Sequence, residues 1–307
     1  MKILWINGNP NKNPGGTETH SIHFINSLKD KVDLFAAISK DSFVDKNIEL
    51  DAEKKLYISI NGELSPISTY KLIKFAKKIR PDFVIGNNGN EYINTFITAW
   101  ISGAKAVLFR HMTNKQPFFI KKFIFPRVYK VIAVSDYVKE KLVSEGVSKD
   151  KIAVIPNFLE KNFIFNEEKR KLFRKKFNVK DKFVVLFVGK IDEGKGIFDF
   201  LEAVNKAKRD IPELYAFVIG TGKDLEKSKQ FCKKYKCEDF VKFEGRINNP
   251  LVYYLISDVF IMPSLADESF ARTVIEAMAT KTAVIAYPSG NIPYIISNLK
   301  NGILTEK

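Results

Sequence analysis

The chain has 307 residues, 45% of them hydrophobic and 28% charged, with a net charge of +15. A length of this order exceeds one small core and points to two domains, and no apolar run reaches the roughly 18–20 residues of a membrane span. The excess charge is divided, +9 over residues 1–156 and +6 over the remainder. It therefore forms no basic tail, and it fits phosphate-bearing ligands, polyanions or an anionic membrane surface as well as a Lys-rich composition without function.

In chain order, Met1–Asn7 is too short and ends too polar for a signal peptide and reads as a buried first strand. Apolar runs follow at Val32–Ile38, Asp82–Gly86, Ala106–Arg110, Lys130–Ser135 and Lys151–Pro156. Ser135 and Gly146 bracket a helix as N-cap and C-terminal stop. A charged stretch within Asn157–Lys182, containing Glu167 to Lys171, reads as a linker and the opening helix of a second domain. The runs resume at Phe183–Gly189, Tyr215–Gly220, Val241–Gly245, Asp258–Pro263 and Thr282–Tyr287. Continuous rather than alternating apolar runs mean strands covered on both faces. Their alternation with helices predicts doubly wound, parallel-sheet α/β domains, here 1–157 and 158–307, facing a cleft. The two cysteines, Cys232 and Cys237, fall in a stretch that reads as an exposed helix. They are expected to be reduced thiols of a cytoplasmic protein.

In such sheets ligands sit at the carboxyl ends of the strands. The loop after the first run contains Gly15 and Gly16 before a helix from about Glu18, which lets backbone approach a sugar or diphosphate. It is not the G-x-G-x-x-G dinucleotide fingerprint. Gly189 to Gly196 carries Lys190 and Lys195, suited to neutralising a diphosphate, and is not a Walker A loop. Gly220-Thr221-Gly222-Lys223 is a second tight turn where backbone can approach a ligand. The most informative segment runs from Pro263 to Ala279: Glu268 on a loop, Ser269, Phe270, Ala271, Arg272 and Thr273 at a helix start, and Glu276 inside that helix. A helix N-terminus favours phosphate, and carboxylates grip sugar hydroxyls in pairs.

Here the chain resembles the family-4 retaining glycosyltransferases of GT-B fold, which have two Rossmann-like domains. The signature is Glu-x7-Glu, carried by Glu268 and Glu276. The resemblance also rests on Pro14 to Glu18, Phe109-Arg110-His111, Ala133 to Asp136, Ile155-Pro156-Asn157, Val188-Gly189-Lys190 with Lys195-Gly196, Gly290 to Pro293, and Asn301 to Leu304. It implies that Glu276 binds the donor ribose and Glu268 the transferred sugar, with Lys190 and Lys195 on the diphosphate. Ser269 to Thr273 would contact donor sugar and phosphate through backbone, and His111 would lie beside the donor sugar. The implied activity is a metal-independent, retaining front-face transfer from a nucleotide-diphosphate sugar to a glycan or lipid-linked acceptor, hexosyltransferase in type. The donor is a co-substrate, and no cofactor or metal is expected. Departures are Ser269 and Ala271 for glycine, Lys190 for arginine, Asn291 for a second glycine and Tyr294 for a glutamate. Relatives continue beyond the position of Lys307 with a helix returning to the first domain, so the resemblance also implies a chain shortened at its end.

Two further readings of the enzyme stay open: a sugar-nucleotide epimerase of the same architecture, and a catalytically silent sugar-nucleotide or glycan binder. Residues 110–127 mix five basic side chains with four phenylalanines. They read equally as an interfacial membrane segment, which would place the protein peripherally at the inner membrane face, and as a buried helix with solvated lysines. No motif supports a nucleic-acid partner.

Overall fold

The computed structural model describes residues 1–12, 15–159 and 163–306. Pro14 of the glycine-rich motif, residues 160–162 of the expected linker and Lys307 lie outside them. The chain divides into two compact units, Met1–Asn157 and Phe158–Lys307.

The first unit is built on a parallel sheet of seven strands: β1 (Lys2–Asn7), β2 (Asp33–Ile38), β3 (Lys55–Tyr57), β4 (Phe83–Gly86), β5 (Lys105–Arg110), β6 (Lys130–Ala133) and β7 (Ile152–Val154). Their order is β3-β2-β1-β4-β5-β6-β7. The order reverses between β1 and β4, which lie side by side with Ile6 opposite Gly86. The loops leaving this pair therefore open where a doubly wound sheet binds ligand. One face is sealed by Trp5, Ile25, Leu34, Ile38 and Phe109, all at most 1% exposed. The helix Asp136–Ser144 starts as its residues dictate: Ser135 Oγ accepts from the Val138 amide at 3.2 Å.

The second unit has six parallel strands: β8 (Phe183–Val188), β9 (Leu214–Ile219), β10 (Val241–Gly245), β11 (Val259–Met262), β12 (Ala283–Ala286) and β13 (Ile303–Leu304). Their order is β10-β9-β8-β11-β12-β13, with the switch between β8 and β11. The charged helix Glu167–Lys176 docks here through polar groups. Asp258, just before β11, takes Arg170 at 2.5 Å, Arg174 at 3.1 Å and the Val184 amide at 2.8 Å.

Two strands escape the periodicity reading. β3 and β13 are three and two residues long, too short to repeat a pattern, and exist only by pairing with β2 and β12. The cysteine expectation is corrected: Cys232 and Cys237 are 1% and 0% exposed. The helix Leu225–Tyr235 buries Ser228 and Cys232 on its inner face, four residues apart. Lys236, in the left-handed region at φ 57°, then turns Cys237 back beneath it. Burial raises the Cys232 thiol far above its ordinary value, so both are inert core groups.

Candidate active site

In the second unit the loops after β8 and β11 are latched to each other. The Gly194 carbonyl accepts from the Leu265 and Ala266 amides at 3.0 and 2.9 Å. Asp192 Oδ1 accepts from the Lys195 amide at 3.0 Å and so sets the short turn Glu193–Lys195. That turn aims Lys195 at Glu268, with Nζ 2.5 Å from Oε1. Glu268 is 8% exposed, so the pair is partly withdrawn from water, where opposite charges attract more strongly. The Gly290–Asn291 turn holds this loop from the far side. The Asn291 amide donates to the Glu268 carbonyl at 2.7 Å, and the Asn291 side chain reaches the Phe270 carbonyl at 3.3 Å. The side chain at 291 thus has its own use where a second glycine was the family expectation.

Lys190 is placed differently from Lys195: 62% of its side chain is exposed, and it pairs with Asp192 at 3.0 Å. Ser269 and Phe270 are half-buried on the loop, and Ala271 is buried at φ 57°. A left-handed alanine costs about 1–2 kcal/mol that a glycine would not. The helix Arg272–Ala279 follows with no side chain capping its N-terminus, and Thr273 packs its hydroxyl on the Met262 sulfur at 3.5 Å. Glu276, 5% exposed, receives the Arg272 guanidinium at 2.8 Å on Oε1 and the Tyr254 hydroxyl at 2.9 Å on Oε2. Burial, and then the Glu276 charge, hold the Tyr254 hydroxyl well above its usual range, so it remains a donor. Sequence reading missed Tyr254, which arrives from the helix Leu251–Ile256, 22 residues upstream.

The glycines here serve backbone-to-backbone packing. A Cβ on Gly222 would sit 2.0 Å from the Ile191 carbonyl oxygen, and one on Gly220 would sit 1.8 Å from that of Gly189. The turn 220–222 thereby supports the lysine loop. Among the described residues, a Cβ on Gly16 in the first unit meets nothing within 4 Å.

The first unit gathers its polar groups at the β1/β4 switch. His111, just past β5, gives Nε2 to Asn87 Oδ1 at 2.9 Å, and His20 gives Nδ1 to the same oxygen at 3.0 Å. The Asn87 amide nitrogen reaches the Thr17 carbonyl at 3.0 Å, beside Gly16. His20 and His111 meet edge to face at 4.7 Å between ring centres. Burial is the main cause that pushes His111 down to about 3 and His20 down to about 4. Asn87, Asn88, Asn90, Arg110 and His111 line a polar cavity of about 430 Å³. Neither Asn87 nor the His20 link was evident from sequence, because residues 20, 87 and 111 meet only once β1, β4 and β5 are adjacent.

Glu91 ties this region together. Its carboxylate, 1% exposed, accepts the amides of Gly8 at 2.8 Å, Asn87 at 3.0 Å and Asn88 at 2.9 Å. Burial outweighs those donors and lifts its pKa to about 7. A carboxyl raised in the folded state favours folding fully below about pH 4.5, and that contribution is lost as pH rises through about 7. The lost contribution is about 3 kcal/mol at most. His20 and His111, depressed when folded, act oppositely below about pH 6.5. Glu91→Gln is therefore expected to flatten the loss of stability between pH 5 and pH 8 relative to wild type, read as urea-unfolding free energies. Equal slopes in the two proteins would rule out a buried, proton-binding Glu91.

Comparison with known proteins places these two units in a family. The model for "Glycosyltransferase Family 4" matches residues 14–162, and that for "Glycosyl transferases group 1" matches residues 168–307. An uncharacterized glycosyltransferase of Methanocaldococcus jannaschii is 27% identical over 198 residues, 62% of this chain and only half of the relative's length. One from Haemophilus influenzae is 27% identical over 95% of this chain and 83% of its own. A Campylobacter jejuni N,N'-diacetylbacillosaminyl-diphospho-undecaprenol alpha-1,3-N-acetylgalactosaminyltransferase is 26% identical over 91% and 79%. Among solved structures, Anabaena HepE in complex with UDP and glucose superposes with a TM-score of 0.83 at 19% identity, over 100% of this chain and 86% of HepE. The strand–loop–helix units that carry Glu268, Glu276 and His111 are thus those of a GT-B protein, and the chain belongs to glycosyltransferase family 4.

Proposed function

We propose that the chain is a retaining, metal-independent hexosyltransferase that moves a sugar from a nucleoside-diphosphate sugar to a glycan or lipid-linked acceptor. The observation that carries this is the Lys195–Glu268 pair on the latched loops of the β8/β11 switch, with Glu276 one turn into the next helix. In this reading Glu276 takes the ribose hydroxyls and Glu268 the hydroxyls of the transferred sugar. Lys195, with Lys190 swinging from its exposed position, neutralises the diphosphate. Fixed cationic groups aimed at a leaving diphosphate lower the barrier because the charge grows there in the transition state. The acceptor oxygen bonds to the anomeric carbon on the face from which the diphosphate departs. Attack on that face retains configuration, and a diphosphate oxygen takes the acceptor's proton. Gly16 and His111 are the ligand-facing residues of the first unit. HepE's complexes with UDP and glucose favour a uridine nucleotide as the first donor to test, and the Campylobacter relative's name favours a diphospholipid acceptor.

A thermal-shift screen of nucleotide sugars tests the donor half. The true donor stabilises the fold by mass action, about 2.7 kcal/mol at a hundredfold excess over Kd. Glu276→Ala is expected to abolish that shift. Turnover unaffected by EDTA, and an α-linked product from an α-configured donor, are the expected mechanistic results. A β-linked product would overturn retention.

The same reading places the protein at an anionic lipid surface. No acidic residue occurs between Glu91 and Asp136. Phe118, Phe119 and Phe123 are 69%, 51% and 40% exposed, whereas Ile120, Ile124 and Phe125 of the same segment are buried. Lys122 lies 5.3 Å over the Phe118 ring, and Arg127 lies 5.8 Å over Phe123. Aromatic rings flanked by cations suit the headgroup boundary, where the rings enter and the cations meet lipid phosphate. No helix among the described residues is long and apolar enough to cross a membrane. The protein is expected to float with phosphatidylglycerol-containing vesicles, to be released by salt, and to lose most binding in Phe118→Ser/Phe119→Ser. Equal flotation with neutral phosphatidylcholine would refute the charge-assisted surface.

A further inference from the structure

We propose that Asn87 is a positioning residue that locks His111 in the tautomer protonated on Nε2, so that Nδ1 is held as a bare acceptor for a ligand hydroxyl in the polar cavity of the first unit. The argument begins at the Asn87 carboxamide. Its nitrogen faces the Thr17 carbonyl at 3.0 Å. A flipped amide would set oxygen against oxygen there, so Oδ1 must face the two imidazoles. A carbonyl oxygen only accepts. Both nitrogens that reach it, His111 Nε2 at 2.9 Å and His20 Nδ1 at 3.0 Å, must therefore carry the proton. One oxygen with two lone pairs is thereby fully used by two rings.

Each ring is left with its other nitrogen unprotonated, since burial disfavours a second proton on either. The rings cannot turn freely to exchange roles. His111 stacks on Phe109 with 5.9 Å between centres and a 14° interplanar angle, and His20 closes its edge at 4.7 Å. Among the described residues no protein donor satisfies His111 Nδ1. The cavity that His111 shares with Asn87 is lined by the carboxamides of Asn88, Asn90 and Asn114, with Arg110, Lys115 and Glu63 as its charged groups. An acceptor nitrogen at this wall takes a hydrogen-bond donor such as a sugar hydroxyl. An imidazolium, or the opposite tautomer, would present a donor to the cavity and favour an anion instead.

This inference rests on the transferase reading only for its effect on turnover; the tautomer itself is independent of it. The chain has three histidines, so ring-15N-labelled protein gives three resolvable imidazoles in a two-bond 1H–15N correlation at pH 7.5. His111→Ala assigns its ring. Wild type is expected to show a pyrrole-type Nε2 and a pyridine-type Nδ1 for His111, and the reverse for His20. Asn87→Ala is expected to average the His111 nitrogens. A pyridine-type Nε2 in wild type, or an unchanged His111 pattern in Asn87→Ala, would overturn the proposal. The wild-type spectrum decides the matter even where Asn87→Ala does not fold.

With UDP-glucose as the probe donor, Asn87→Ala is expected to lower turnover about tenfold, the worth of one positioned hydrogen bond. The double variant with His111→Ala is expected to be no slower than His111→Ala alone. Averaged tautomers in Asn87→Ala, with turnover unchanged in both single variants, would uphold the lock and refute a role for His111 in transfer.

Discussion

Glu268→Gln is expected to lower transfer turnover about 10²–10³-fold while leaving the affinity for UDP equal to or above that of wild type. The asymmetry follows from what Glu268 touches. Its Oε1 is engaged by Lys195 Nζ, and the loop that carries it is pinned at its own carbonyl by the Asn291 amide. The glutamine is nearly isosteric and keeps the loop, but it no longer holds the ammonium as an ion pair. Lys195 retains a third of its exposure, so it can rehydrate or reach a diphosphate more readily once released. Nucleotide binding is then maintained or improved. The carboxylate assigned to the transferred sugar is missing, and interactions that matter most in the transition state appear in kcat. Lys195→Ala should do the reverse, weakening UDP as well as turnover. Isothermal titration with UDP beside steady-state kinetics separates the two. Wild-type kcat in Glu268→Gln would remove Glu268 from the chemistry.

Gly196→Ala is expected to destabilise the second unit by about 3–4 kcal/mol and to lower its melting temperature by about 10 °C. Gly196 sits at φ +70°, and an alanine Cβ would lie 1.8 Å from the Pro263 carbonyl oxygen and 2.6 Å from its carbon. Both are backbone atoms, so no side chain can move aside. The β8 loop must separate from the β11 loop, taking Lys195 away from Glu268, and activity falls with stability. Two controls isolate the cause. Gly146 also has positive φ, +91°, but open space around it, so Gly146→Ala should cost only about 1–2 kcal/mol. Gly16→Ala, with no clash and no positive φ, should be nearly neutral. Calorimetry on the three variants orders them. Gly196→Ala with wild-type stability would show that the latch between the loops is dispensable.

The fold class was legible because parallel strands covered on both faces must be apolar without interruption. Phe183 to Val188 and Leu4 to Ile6 state that requirement in their own composition. β3 and β13 were illegible for the converse reason: short edge strands have too few residues to carry a pattern. The buried cysteines were misread because lysines dominate the helix Leu225–Tyr235, whose fully buried positions are the small residues Ser228 and Cys232.

Glu268, Lys190, Lys195 and His111 were proposed from their place within seven residues of a strand end, and Glu276 from its spacing to Glu268. Their partners could not be found this way. Tyr254 reaches Glu276 across 22 residues, Lys195 reaches Glu268 across 73, and Asn87 joins rings 67 and 24 residues away. Composition and order along the chain were enough for eleven of the thirteen strands and for the family resemblance. The tertiary structure decided which oxygen each cation and hydroxyl occupies, which glycines lie against backbone, and that His111 and His20 share the Asn87 oxygen. Hydrogen bonds act over about 3 Å, and only the crossover of each sheet brings strand ends distant in sequence within that reach.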